Sequence, residues 1–116
     1  MRWTSTGLFA GAIIIALLLV GAYRSRSEFV QVKYRGEVNL ARFGCTDIDR
    51  SRFVRRICYE DGNSYMLINL NGTYYHYCEV DGETVAGLLH AESVGGFFNV
   101  NIKGRFDCRT HHVPNN

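Results

Sequence analysis

The chain has 116 residues, with 13 lysines and arginines against 11 acidic residues and a formal net charge of +2. This length allows one small domain with an appendage, and the modest charge provides no strong basic field of the kind that marks a dedicated nucleic-acid-binding protein. Four cysteines in so short a chain are typical of an exported domain that closes two disulfides.

The amino-terminal stretch is uniformly apolar. Residues 7–23 contain no charged side chain and are preceded by Arg2. A run of 17 residues is the shortest that usually spans a bilayer as a helix, and it also fits a signal peptide with small residues for cleavage after Ala22. We therefore expect residues 1–23 to be a signal peptide or a single transmembrane anchor, with the membrane contacted through residues 7–23.

The orientation of the domain has two interpretations. Arg24 and Arg26 follow the apolar run, so the positive-inside rule favours the cytoplasm. The cysteines and the cleavage site favour export to a bacterial periplasm or cell envelope. We favour export, because disulfides add stability to a domain with a small core.

After this leader, the polar residues 24–35 are interpreted as a tether, residues 36–110 as the domain, and residues 111–116 as a disordered tail. Within the domain, residues 38–45 form a strand or an extended lead-in to a charged loop.

Two tight turns organise the domain. Asn71-Gly72 separates two runs rich in Tyr, Ile and Leu, which is a strong hairpin signal because both residues tolerate positive φ. A two-residue loop there places Leu67 opposite His76. Asp61-Gly62 is a second such break, and a two-residue loop there places Cys58 opposite Tyr65. The prediction is a three-stranded antiparallel meander.

Side chains alternate between the two faces of a strand, so these turns assign each side chain of the meander to a face. The face richer in large apolar groups is expected to be the core. The predicted core residues are Phe53, Ile57, Tyr59, Met66, Ile68, Leu70, Tyr75 and Tyr77 on the sheet, and Val85, Leu88 and Leu89 on a helix. The opposite face collects Val54, Arg56, Cys58, Tyr65, Leu67, Tyr74, His76 and Cys78.

One helix follows the meander. Asp81 is a predicted N-cap, and Val85, Leu88 and Leu89 recur at helical spacing as one apolar stripe. Gly95-Gly96 is expected to end this helix, and residues 97–108 are expected to pack back on the sheet as a tail strand. The predicted fold is α+β: a small antiparallel sheet of three to four strands with one helix packed on one face, preceded by an amino-terminal hydrophobic helix.

Residues 51–106 resemble the KTSC domain, a module also found at the C-terminus of some lysyl-tRNA synthetases. The motifs that carry the resemblance are Cys58-Tyr59-Glu60, Tyr75-His76-Tyr77, Ser93 with Gly95, Phe97-Phe98-Asn99 and Ile102-Lys103-Gly104-Arg105. The resemblance implies a strand meander followed by a helix. It points to no particular activity, since none is established for the family, although RNA binding has been suggested. This chain adds the apolar leader and extensions that carry Cys45 and Cys108.

The cysteines have two possible pairings. Cys58 and Cys78 are predicted to lie in one row on one face with the central strand between them, so about 10 Å separates them, beyond the roughly 7 Å that a disulfide spans. Each therefore pairs with Cys45 or Cys108. Both 45–58 with 78–108 and 45–78 with 58–108 satisfy this condition. The spacings contain no CxxC or HxxxH pair, so we expect no metal and no cofactor.

No nucleophile elbow, phosphate loop or paired carboxylate is present, so we expect no catalytic site. The leading hypothesis is a non-enzymatic interaction module in the cell envelope with an unidentified protein partner. The alternative is a membrane-tethered cytoplasmic module that binds RNA. The candidate partner-binding surface comprises Tyr65, Tyr74, His76, Arg55, Arg56, Lys103 and Arg105.

Overall fold

The computed structural model of the protein describes residues 27–115. The predicted leader and the first residues of the predicted tether lie outside this range. Within it, no helix has both the length and the apolar character needed to cross a membrane.

The described residues form one six-stranded sheet with two short helices, which is the expected α+β class with more strands than expected. The strands are β1 Phe29–Val32, β2 Gly36–Asn39, β3 Gly44–Asp47, β4 Val54–Glu60, β5 Tyr65–Leu70 and β6 Thr73–Tyr77, in the spatial order β2-β1-β6-β5-β4-β3. Neighbouring strands are antiparallel, except that β1 runs parallel to β6. The helices are α1 Gly82–His90 and α2 Val94–Phe97, followed by a π-helical turn at Phe98–Ile102.

The interpretation of residues 24–35 as a tether is wrong for the part that the structure describes. Strands β1 and β2 form a hairpin, in which Val32 and Val38 are buried. The two strands are only four residues long each, with the sequences FVQV and GEVN, and each has one fully buried side chain. So short a pair of strands is easily taken for a linker, because most of its side chains are at least partly exposed to water.

The carboxy-terminal segment is also packed rather than disordered up to residue 115. Pro114 is buried, and its carbonyl oxygen accepts a hydrogen bond of 2.6 Å from Nη2 of Arg35. Val113 packs against the core beneath β1 and β2, and Nδ1 of His111 contacts the carboxylate of Glu79. The segment therefore covers apolar surface that the meander alone leaves open.

The turn at Asn71-Gly72 has the predicted two-residue form. Leu67 lies opposite His76, and both turn residues have positive φ, 53° at Asn71 and 96° at Gly72. The amide oxygen of Asn69 accepts a hydrogen bond of 2.7 Å from the Gly72 N–H, which stabilises the loop.

The turn at Asp61-Gly62 is longer than predicted. A 3₁₀ turn covers Asp61–Asn63, and Ser64 adopts the left-handed conformation, so Glu60 rather than Cys58 lies opposite Tyr65. The register moves by two residues. Because side chains alternate with a period of two, the shift keeps almost every side chain on its predicted face.

Val54 is the exception. A bulge between Val54 and Arg56 lets Phe53 and Val54 both contact the helix-covered core, so Val54 lies on the face opposite to the predicted one. Of the predicted core residues, Ile57, Met66, Ile68, Val85 and Leu88 are buried in this core, and Phe53, Tyr59, Leu70, Tyr77 and Leu89 pack against it. Tyr75 is half-buried and is part of neither core cluster, contrary to its assignment to the core.

The second face of the sheet is covered as well. Tyr65, Leu67, Cys58 and Cys78 are at most 1% exposed there, beneath the β1–β2 hairpin and the carboxy-terminal segment. The phenyl ring of Phe43 lies 6.0 Å from the Tyr65 ring. The sheet is therefore buried on both faces at its centre.

Helix α1 begins as predicted, because the Asp81 carboxylate accepts hydrogen bonds from the Thr84 N–H and the Thr84 hydroxyl. The helix ends at His90, before the predicted stop. Gly95 and Gly96 instead lie inside α2, which Ser93 caps, and the expected tail strand is replaced by this helix and the π-helical turn.

The disulfides join Cys45 to Cys58 and Cys78 to Cys108, with Cα atoms 4.0 and 5.0 Å apart. This is the first of the two pairings that the sequence allows. Cys45 and Cys58 lie directly opposite each other on β3 and β4, and the second disulfide ties the carboxy-terminal segment to the end of β6.

Removing either disulfide is expected to destabilise the fold, because each limits the freedom of the unfolded chain. The bonds close loops of 13 and 30 residues, so replacing Cys45 and Cys58 by serine should cost about 3 kcal/mol and replacing Cys78 and Cys108 about 4 kcal/mol. Urea denaturation of the full chain measures both values. A loss below about 1 kcal/mol in either variant would contradict the role of that bond.

Gly95→Ala is expected to lower the free energy of unfolding by about 1–3 kcal/mol through overpacking. A Cβ at this position would lie 2.7 Å from Cε1 of Phe53, whose ring packs edge-on against Phe98. Gly82→Ala is the matched control, because its Cβ would meet no atom within 4 Å at the start of α1. Urea denaturation should show a loss for the first variant alone.

Candidate functional site

An open groove of about 640 Å³ runs along the part of β6 that lies beyond its pairing with β1 at Tyr74. One wall is the end of β1 with the turn that follows it, and the other is the segment of residues 104–109, which we call the 104–109 wall. The lining residues are Tyr34, Tyr75, His76, Tyr77, Gly104, Arg105, Phe106, Asp107, Cys108 and Arg109.

The floor of the groove includes backbone of β6. The Lys33 N–H donates to the Tyr74 carbonyl at 2.9 Å, and the Cys78 N–H donates to the Phe106 carbonyl at 2.9 Å. The backbone N–H and C=O groups of alternate residues in a strand point to the same side. His76 lies between Tyr74 and Cys78 in this alternation, so its N–H and C=O point into the gap between these two hydrogen bonds. Among residues 27–115, no backbone group pairs with them.

The 104–109 wall is held against β6 by the Cys78–Cys108 disulfide and by the bond to the Phe106 carbonyl. Within the wall, the Arg109 guanidinium donates to both carboxylate oxygens of Asp107. These hydrogen bonds lower the pKa of Asp107 to about 2. The carboxylate of the wall is therefore ionised at neutral pH and already paired with a cation.

Two other cationic side chains, Lys33 and Arg105, lie beside the groove or line it. Nζ of Lys33 lies 5.4 Å from the centre of the Tyr34 ring and 5.7 Å from that of the Tyr75 ring, within the range of cation–π attraction. Arg105 is exposed, and no acidic side chain among the described residues pairs with it. The groove therefore carries a net positive charge.

His76 lines the groove and also contacts Tyr65, which is buried on the second face of the sheet. Its Nδ1 lies 2.8 Å from the Tyr65 hydroxyl, and the Arg35 guanidinium lies 5.0 Å from the centre of the Tyr65 ring. Burial lowers the pKa of His76, and the positive charge of Arg35 lowers it further. Burial, together with Tyr75, raises the pKa of Tyr77 to about 12. At neutral pH these rings are uncharged, so the charge of the groove comes from Lys33 and the arginines.

The structure separates the residues of the predicted partner-binding surface. Tyr65 is fully buried, contrary to its assignment to a surface, because the extensions cover its face of the sheet. Arg56 is paired with Glu28 and Asp47, and its Nη1 also contacts the Tyr74 hydroxyl at 3.4 Å. These residues therefore form a structural network on the second face.

The remaining residues of that predicted surface are exposed or half-buried. His76 and Arg105 both line the groove, whereas Arg55 and Lys103 are exposed outside its lining. Tyr34 and Lys33 are not among the predicted site residues, because they lie in the part interpreted as a tether. The available signal is the β-branched pair Val30 and Val32 beside Phe29, residue types that favour strands. No cluster of three or more potential metal ligands occurs in the part of the chain that the structure describes.

The meander, the two helices and the disulfide-bound extensions define a small α+β domain with a groove at one sheet edge. Residues 50–106 match the family model of the KTSC domain, and we use the term KTSC domain for this matched segment alone. Strands β1–β3, Cys45 and Cys108 lie outside it, and the groove forms where the domain meets these extensions. No curated protein and no solved structure matches the chain.

Acidification is expected to destabilise the fold in part through His76. Because the pKa of His76 is lowered from 6.5 in the folded state, the unfolded chain binds a proton more readily, and stability falls as the pH drops below 6.5. His76→Gln keeps an acceptor for the Tyr65 hydroxyl and does not titrate. Urea denaturation between about pH 7.5 and 5 should show a smaller loss of stability in this variant. Equal losses in both proteins would contradict the assignment.

Proposed function

We propose that the protein is a non-enzymatic interaction module of the cell envelope, delivered there by residues 1–23, and that the groove along β6 is its binding site. The observation that supports this proposal is the pairing of all four cysteines in two disulfides. Such bonds persist in oxidising compartments and are reduced in the cytosol. Each joins a residue of the KTSC domain to an extension, so the extensions depend on an oxidising environment to stay attached.

The chemistry of the groove supports binding rather than catalysis. Its lining contains no serine and no free thiol, since Cys108 is oxidised. The Asp107 carboxylate is engaged by Arg109, and Nδ1 of His76 is engaged by the Tyr65 hydroxyl. Catalysis by a carboxylate or a nucleophilic side chain requires such a group to be free to react with a substrate, and among the described residues Nε2 of His76 has no carboxylate to orient it.

A second candidate is an RNA-binding module that faces the cytoplasm. Tyr34 and Tyr75 lie beside Lys33, and aromatic rings next to cations are the usual platform on which single-stranded bases stack. This function requires the opposite orientation of the domain, so the compartment separates the two candidates.

The compartment is tested with the full chain fused at its C-terminus to a reporter active only in the periplasm, or to one active only in the cytoplasm. The proposal predicts activity of the first reporter alone and complete protection of the four cysteines from alkylation before reduction. Deletion of residues 7–23 is the matched control, and it should abolish both results. Activity of the cytoplasmic reporter with alkylated cysteines would refute the envelope function and favour RNA binding.

A further inference from the structure

We propose that the groove binds a short acidic peptide segment in an extended conformation, which pairs with the backbone of His76 as an added strand. This inference builds on the proposed interaction function and names the class of partner that the same groove takes.

The backbone of β6 provides the first argument. At one end of the gap, the Lys33 N–H, just after β1, donates to the Tyr74 carbonyl. At the other end, the Cys78 N–H donates to the Phe106 carbonyl of the 104–109 wall. Between them, the N–H and C=O of His76 present one donor and one acceptor to the groove. Peptides that extend a sheet gain affinity from such main-chain groups and specificity from side chains on either side.

The charges around the gap provide the second argument. Lys33 stands at one end and Arg105 on the opposite wall, and neither forms an ion pair with a described residue. Asp107 is the acidic residue of the lining, and Arg109 neutralises it. Arg35, behind His76, adds to the positive field. Carboxylates of the partner therefore complement this groove, and basic segments are repelled.

The aromatic side chains provide the apolar contacts. Tyr34 is 84% exposed, which is a high fraction for a large aromatic residue, and Tyr75 is half-buried beside it. In an extended peptide, alternate side chains point to opposite sides. One set therefore contacts these rings while the other meets the cations.

A peptide fits this edge better than a nucleic acid does. The phosphates of RNA accept from the His76 N–H, and its donors are 2′-hydroxyls and bases that do not follow the spacing of a strand, whereas a peptide backbone offers a donor and an acceptor at that spacing. The gap between Lys33 and Phe106 is also short, so it admits a single extended segment rather than a second copy of a long strand.

The test uses fluorescent peptides and the oxidised full chain in detergent, with binding followed by fluorescence anisotropy. The probe alternates valine and glutamate. A version with glutamine in place of glutamate removes the charge, and two versions with N-methyl groups on either set of alternate residues each block one hydrogen-bonding edge. The acidic probe should bind, the glutamine version should bind at least about fivefold more weakly, and at least one N-methylated version should lose binding. Retained binding by both N-methylated versions would overturn the proposed strand pairing.

Protein variants locate the site. Arg105→Ala and Lys33→Ala should each weaken binding about fivefold, whereas Arg55→Ala removes an exposed cation outside the groove and should have no effect. Tyr34→Ala should weaken binding, with the exposed Phe29→Ala as its aromatic control. These side chains are all exposed, so the fold is retained, and intact disulfides in each variant verify this. Equal binding by Arg105→Ala and Arg55→Ala would overturn the assignment of the groove.

A single-stranded RNA of matched charge is the competing probe. RNA that binds in an Arg105-dependent manner, while the acidic peptide does not bind, would overturn the inference in favour of the second candidate. Absence of peptide binding in a protein that the reporters place in the periplasm overturns the inference and leaves the envelope location standing. Cytoplasmic location refutes the envelope function whatever the peptide does.

Discussion

Strand β5 is buried on both faces, and this constraint determines what the rest of the chain must do. Its first four residues, Tyr65, Met66, Leu67 and Ile68, are each 0% exposed. In a strand, consecutive side chains point to opposite faces, so such a run requires cover on both sides. Helices α1 and α2 cover the face of Met66, and the extensions outside the KTSC domain cover the face of Tyr65.

The two disulfides stabilise the segments that cover the second face of the sheet, which few other contacts hold in place. The hairpin of β1 and β2 meets the rest of the sheet through the parallel pairing of Val32 with Tyr74, and the carboxy-terminal segment contains no strand. Burial of Tyr65 and Leu67 contributes about 1.5–3 kcal/mol for each side chain, but only while this cover stays in place. Cys45–Cys58 and Cys78–Cys108 restrict the segments that flank it, so the oxidation of the cysteines and the burial of the second face support each other.

The sequence predicted those parts of the fold that depend on local chemistry. Asn71-Gly72 determines its turn because both residues tolerate positive φ. The predicted row of Cys58, Tyr65 and Cys78 is wrong, because Cys58 lies opposite Leu67, but strand β5 still separates the two cysteines and each pairs with a cysteine of an extension. The four-residue turn that ends at Ser64 was not predictable in this way, since a serine in the left-handed conformation carries no sequence signature.

Tertiary packing accounts for the other differences. Gly95 and Gly96 end helices in most contexts, yet here the ring of Phe53 occupies the space that a side chain at Gly95 would need, so glycine is retained inside α2. The residues of the candidate site come from segments far apart in the sequence. His76 and Arg105 were predicted to be surface residues, but their placement in one groove depends on a disulfide whose pairing the sequence left open. The position of Tyr34 in the groove depends on strand β1, which is too short to be recognised from the sequence.

The groove follows from the same constraint as the core. Strand β1 must leave β6 after Val32 in order to turn into β2, which covers the second face, and the carboxy-terminal segment must reach Cys78 from the other side. The two covering segments therefore approach the edge of β6 from opposite ends and leave His76 between them. The floor of the groove and Arg105 lie in the KTSC domain, whereas Lys33 and Tyr34 lie in the amino-terminal extension. Replacing that extension would therefore change the aromatic and charged lining of the groove without changing the strand that it exposes.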